Sequence, residues 1–262
     1  MHLLKPGVLA SCTVALVGAL CLLLVPHLPW LGVWPKALTI PATSWIGSGL
    51  IWLFELLKPF ARQVSWLLSY PMAWANAVLV TSPYTLVIGF FMAEGWYVGG
   101  LRIAALAFIG LGLVLLSGYW VPSMNTLALV FVSVPLALLA GAAIGIAANE
   151  IPATNRVVQT TLDVMQTVPT FAYLTPLLLL FGFGPVVGLI ASVIYAAPPM
   201  ARNLILALQR VEPEVREAAV MSGATRCQQL FLVEIPSVSR QIMVGVNQTI
   251  MAALSMVIIA AV

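Results

Sequence analysis

Residues 124–148 read "MNTLALVFVSVPLALLAGAAIGIAA", a run without a charged side chain. An α-helix needs roughly 20 apolar residues to cross a hydrocarbon core about 30 Å thick, and this run is longer than that. No water at that depth can bond backbone N–H and C=O groups, so a helix, which pairs them internally, suits the run. Working outward, similar runs predict spans near residues 7–25, 84–99, 101–119, 157–181, 185–201 and 241–262. The chain of 262 residues is 62% hydrophobic and 7% charged, with a mean hydropathy of +1.08. The expectation is an all-α membrane protein, a polytopic helical bundle of about seven spans, with the lipid bilayer as its main surroundings. That leaves little length for a separate soluble domain.

Charge orients the bundle. Placing Lys5 inside puts Arg102, Arg156, Arg202, Arg210, Arg216, Arg226 and Arg240 on the same side, with Lys36, Lys58 and Arg62 outside. Basic residues collect on the cytoplasmic side of membrane proteins, so this threading, with a cytoplasmic N-terminus, is self-consistent. The first apolar run is long for a signal peptide and lacks a small-x-small cleavage site after it, so it reads as a retained span. Residues 44–82 carry Glu55, Lys58 and Arg62 on one helical face. They read as an outer amphipathic helix with Pro59 as a possible kink, or as a short re-entrant pair. All eight tryptophans precede residue 121, as interfacial anchors would. Cys12, Cys21 and Cys227 are far apart and indicate neither a disulfide framework nor a metal site. The net charge of +3 comes without a basic run, so nucleic acid is not an expected partner.

The scarce charge gathers in "EPEVREAAVMSGATRCQQLFLVEIP", Glu212–Pro236, which the threading makes cytoplasmic. Pro213 suits the first turn of a helix, and Glu212, Glu214 and Glu217 lie toward its N-terminal end, where the dipole favours negative charge. Gly223 is placed to end that helix in a left-handed conformation. Thr225 and Gln228 fit a capping box that opens a second short helix, which Pro236 closes, and Ser237 is placed to cap the membrane helix after it. Ala218, Ala219, Ser222 and Gly223 put small side chains on one face, open to close approach by another surface. The stretch reads either as a docking helix pair or as an ordinary solvated loop.

Two apolar segments carry polar interruptions. "MQTVPTF" sets Gln166, Thr167 and Pro169 in a helix, where proline frees a carbonyl and invites a bend. "NQTIMAALSM" sets Asn247, Met251, Leu254 and Ser255 at helical spacing, a stripe that serves either helix packing or a pore lining. Glu94 and Asp163 are the acidic candidates within spans, and both fall near cytoplasmic ends, which argues against ion-coupled transport. Asp163 reads as facing the interface or capping a helix, with contact to substrate or gate as the lesser alternative. The sequence has no G-x4-G-K-[ST] phosphate loop, so energy from ATP would have to enter through another subunit.

Glu217-Ala218-Ala219, Gly223 six residues after Glu217, and Val233-x-Ile235-Pro236 resemble the EAA loop of the membrane subunits of ATP-driven importers. That pattern is E-A-A-x3-G, nine residues, then I-x-L-P, with Val233 and Ile235 as conservative departures. The segments "LDVMQTVPTFAYLTPLLLLFGFG", "VIYAAPPMARNLILALQRV" and "GVNQTIMAALSMVIIA" are similar to the glycine betaine/proline betaine branch of these permeases. The resemblance implies a cytoplasmic coupling-helix loop, with Arg216, Glu217, Ala218, Ala219, Gly223, Ala224 and Arg226 docking on two copies of an ATP-binding subunit. It implies a translocation path or gate lined by Met165, Gln166, Thr167, Pro169, Phe171, Asn247, Met251 and Ser255. It also implies a second permease copy or half, an extracytoplasmic substrate-binding protein, ATP and Mg held only by the ATPase subunit, and residence in the bacterial inner membrane. The chain itself would be a transport subunit with no catalytic residues. The expected organisation is an N-terminal span and amphipathic helix over residues 1–83 and two peripheral spans over 84–120. A permease core follows over 121–262 with its loop at 202–240, and it is expected to continue beyond residue 262.

Overall fold

The computed structural model describes residues 6–25 and 42–260, and every element among them is helical. Lys5, Lys36 and the end of the last predicted span at 261–262 lie outside the described residues. The chain divides into two compact units, Met1–Leu53 and Phe54–Val262. The first holds α1 (Pro6–Leu24), the helix predicted over 7–25, and the beginning of α2 (Ala42–Thr81). Helix α2 is forty residues long and continues through Pro59 and Pro71. Glu55 and Lys58 pair on it.

In the second unit, the later part of α2 does not simply lie on a surface as predicted. Val64, Leu68, Met72, Ala75 and Leu79 recur at three- and four-residue spacing and pack with Ala128, Leu129, Leu189 and Val257. Asn76 Nδ2 donates to Asn125 Oδ1 at 2.9 Å, adding a polar tie to that seam. Helix α3 (Tyr84–Leu116) is folded in two at Gly100, whose φ of 72° and ψ of −165° break the helix where the sequence separated 84–99 from 101–119. The arms close so tightly that a Cβ on Gly95 would stand 3.2 Å from the Ala104 nitrogen.

The core is built by α4 (Trp120–Glu150), α7 (Pro185–Gln209) and α11 (Ser239–Ala260). With lipid tails as apolar as leucine, helices associate by close packing, which small residues permit. Gly141 and Gly145, four apart on α4, meet Ala197, Met200, Ala201 and Leu204 of α7. A Cβ on Gly141 would lie 2.5 Å from the Ala197 carbonyl oxygen. Gly245 of α11 meets Met200 and Asn203 from the other side. Asn203 then joins the pair: its Nδ2 donates to Gln248 Oε1 at 2.8 Å, and its Oδ1 accepts from Gln241 Nε2 at 2.9 Å.

The single span predicted over 157–181 is instead two helices, α5 (Pro152–Thr167) and α6 (Thr170–Phe181), bent by 100°. Pro169 pushes the residue before it out of helical geometry, and Val168 accordingly has ψ of 129°. Among the described residues, α3, α4, α7 and α11 are each long and apolar enough to cross a membrane, and the bent pair makes a fifth candidate. Of the seven predicted spans, the pair at 84–99 and 101–119 forms the two arms of α3.

Candidate functional site

The charged loop forms helix α8 (Pro213–Met221), with Pro213 in its first turn and Glu214 beside it. Its end is a complete Schellman motif. Gly223 has φ of 77°, its N–H donates to the Val220 carbonyl at 2.9 Å, and the Ala224 N–H donates to the Ala219 carbonyl at 3.1 Å. Thr225 and Gln228 form the capping box that opens α9 (Arg226–Gln228). Pro236 does not close this second helix as predicted. A π-helical turn over Gln229–Glu234 widens the path just before it, and the chain runs on into α10 (Ile235–Ser237). Ser237 does not cap α11 either, because its hydroxyl donates backward to the Glu234 carbonyl at 2.7 Å.

Beneath this loop sits an ion cluster. The Arg226 fork gives Nε and Nη2 to the two Glu150 carboxylate oxygens, at 2.8 and 2.6 Å, and Nη1 to Glu234 Oε1 at 2.6 Å. These bonds, to Glu150 first and Glu234 second, push the Arg226 pKa above an ordinary arginine's, so it stays charged. Glu234 is fully buried, and its Oε1 also accepts from Gln229 Nε2 at 3.0 Å. Arg216 donates from Nη2 to the Leu208 carbonyl at the end of α7, at 2.7 Å, and its Nε lies 3.3 Å from Glu234 Oε1. Glu234 Oε2 and Arg216 Nε are buried without a hydrogen-bond partner.

Sequence reasoning placed seven loop residues in one docking set, and the structure divides them. Glu217, Ala218 and Gly223 are exposed, Ala224 is half-buried, and Ala219 is buried against the chain's own interior. The Arg216 and Arg226 heads point inward, to α7 and α4. Sequence reasoning missed Val220, Met221, Phe231 and Leu232, large apolar side chains left uncovered on α8 and the π turn; Met221 is 88% exposed. The signal was present, since apolar residues in a charged loop need a reason to face water.

The predicted path residues fall on two surfaces. Around the α5–α6 break, Met165 is half-buried while Gln166, Thr167, Pro169 and Phe171 are exposed. The Tyr173 hydroxyl donates to the Met165 carbonyl across the break, and its ring meets that of Tyr195 edge-on, 6.0 Å between centroids. On α11, Asn247, Met251, Leu254 and Ser255 form an exposed face opposite Gly245, Thr249, Ala253, Met256 and Val257, which are buried. Asp163 lies inside α5 rather than at a cap, and it pairs with Arg202 of α7.

Residues 133–262, from the middle of α4 through α11, match the family of binding-protein-dependent transport system inner membrane components. Over these residues the chain belongs to that family. The match contains the loop cluster and both exposed surfaces, and the apolar helices make the chain a multi-pass membrane protein. The chain is 34% identical to the glycine betaine/proline betaine transport system permease protein of Escherichia coli, over 90% of this chain and 66% of that one. It is 35% identical to the trimethylamine N-oxide transport system permease protein of Ruegeria pomeroyi, over 94% of this chain and 40% of that one. It is 42% identical to the glycine betaine transport system permease protein of Bacillus subtilis, over 68% of this chain and 64% of that one. The chain thus spans less than two thirds of the length of these relatives.

Proposed function

We propose that this chain is the permease subunit of an ATP-driven, binding-protein-dependent importer of a betaine-like quaternary or methylated amine. The observation that carries the reading is the exposed end of α8, with Glu217 and Ala218 beside a Schellman-capped Gly223, on a chain whose relatives are named for such solutes. In this reading two ATPase subunits, holding ATP and Mg, grip the loop through Glu217 and Ala218 and the uncovered Val220 and Met221. Two permease copies or halves form the path in the inner membrane, with the N-terminus in the cytoplasm. Asn247, Met251 and Ser255 of α11 face it together with Gln166, Thr167 and Phe171 at the α5–α6 break. Closure of the ATPase dimer draws the two loops together and turns the path outward; hydrolysis reverses it.

An extracytoplasmic binding protein delivers the solute and supplies most of the selectivity. A path that held a cation in a tight aromatic cage would release it slowly, and after residue 121 the chain has only scattered phenylalanine and tyrosine. The test is ATP hydrolysis by the reconstituted complex, with its ATPase and binding protein, across glycine betaine, proline betaine, choline, carnitine, trimethylamine N-oxide and several amino acids. Stimulation by one methylated amine, lost together with ATPase attachment in Glu217→Lys, is expected. Stimulation by an amino acid alone keeps the importer and discards the betaine assignment.

A further inference from the structure

We infer that Glu150, Arg226 and Glu234 form a rigid joint that makes the second half of the loop move as one body with the cytoplasmic end of α4. The inference rests on the importer reading, because it concerns how movement of the loop enters the membrane. Its basis is the asymmetry of the ion cluster. On the α4 side, Arg226 holds Glu150 with both prongs of its fork and reaches Glu234 with the remaining nitrogen. A bidentate guanidinium–carboxylate pair fixes orientation as well as distance. Glu234 in turn is fully buried and bound by Gln229, so the carboxylate that receives Arg226 is itself held in place.

The α8 side is built differently. Arg216 holds the end of α7 by one hydrogen bond to the Leu208 carbonyl. Its Nε and Glu234 Oε2 remain without hydrogen-bond partners. The two halves of the loop meet at Gly223 and Ala224, outside either helix. Toward residues 226–238, α8 packs along the π turn and Arg216 pairs with Glu234 Oε1 at 3.3 Å without a hydrogen bond, a looser tie than the Arg226 fork, with Glu234 Oε2 left unused. The 226–238 segment is tied to α4 by the Arg226 fork on Glu150 and by an apolar cluster in which Leu230, Ile235 and Val238 join Ala142 and Ile146. Coupling through a protein needs a contiguous network whose parts have discrete positions, and the joint supplies the fixed part. Glu150 is thus a positioning residue: it touches neither solute nor nucleotide in this reading, and acts by holding Arg226.

The test uses the full-length chain reconstituted with its ATPase and binding protein. In Glu150→Gln the side-chain shape is kept and the charge lost. The ATPase is expected to stay attached and hydrolyse ATP, while solute carried per ATP falls about tenfold, within the range of single changes along a coupling network. A purely stabilising role would instead lower complex yield, hydrolysis and uptake together. Arg226→Lys, which keeps the charge without the fork, is expected to give an intermediate ratio. Unchanged solute per ATP in Glu150→Gln overturns the joint. Should that variant fail to fold, spin labels at Cys227 and an Ile151→Cys site, with Cys12 and Cys21 replaced, report on the otherwise intact chain. One narrow distance, the same with and without nucleotide, is expected; a broad or nucleotide-dependent distance overturns it. If the unaltered complex carries no solute with ATP, the importer reading has failed, and the label distance still decides whether the joint is rigid.

Discussion

Gly223 shows how one residue sets the end of a functional element. Nothing stands within 4 Å of where its Cβ would be, so space does not demand glycine there. The demand is conformational, since φ is 77° and a side chain there costs about 1–2 kcal/mol, with a β-branched one at the upper end. In Gly223→Val, α8 is expected to lose its Schellman bonds and the loop its angle between halves. ATP turnover should then continue with uptake reduced severalfold or more; normal uptake would remove this account of the position. The glycine was legible in the sequence because its offset from Glu217 and the capping box after it are local patterns. The inward turn of Arg226 was not, because Glu150 lies 76 positions earlier and no local pattern points to it.

At the scale of elements, proline had different effects in different places. Pro169 breaks a helix into two pieces bent by 100°, whereas Pro236 is accommodated by a π turn and Pro59 and Pro71 lie within one long helix. Around Pro169 the break exposes Gln166, Thr167 and Phe171, and the Tyr173 hydroxyl bonds back to the Met165 carbonyl. Pro169→Ala frees Val168 to adopt helical geometry, which favours continuing α5 into α6. Uptake is expected to drop while the ATPase remains attached, as measured by co-purification beside transport assays. Unchanged uptake would mean that the bend does not depend on this proline. A bend was legible as a tendency, but its angle depends on what α6 packs against, namely α7 and α11.

For the whole molecule, stability rests on how closely α4, α7 and α11 approach one another. Gly141 is the tightest point of the α4–α7 seam, where a Cβ would meet a backbone oxygen at 2.5 Å and Met200 at 2.7 Å. Overpacking a core costs about 1–3 kcal/mol, and a backbone atom cannot step aside as a side-chain tip can. Gly141→Val is therefore expected to lower the melting temperature in detergent and the yield of folded protein. Gly110→Val, at an α3 position open to its surroundings, should leave both nearly unchanged. Equal melting of the two variants would show that the seam is not where stability resides.

Composition and local pattern were enough to define an all-helical membrane protein, the positions of most helices, and the two-part loop with its stop at Gly223 and its capping box at Thr225, though not the roles expected of Pro236 and Ser237. Each of these follows from composition or from residues a few positions apart. Apolar length selects a spanning helix, and a left-handed glycine or a capping box acts within one turn. Tertiary structure alone decided which face of each helix is covered. Asn247 and Met251 stand uncovered because Gly245, Thr249 and Ala253 are the residues that fit against the core. It also decided that Arg226 serves Glu150 and Glu234, because the buried Glu234 carboxylate must find an opposite partner wherever folding brings one within reach.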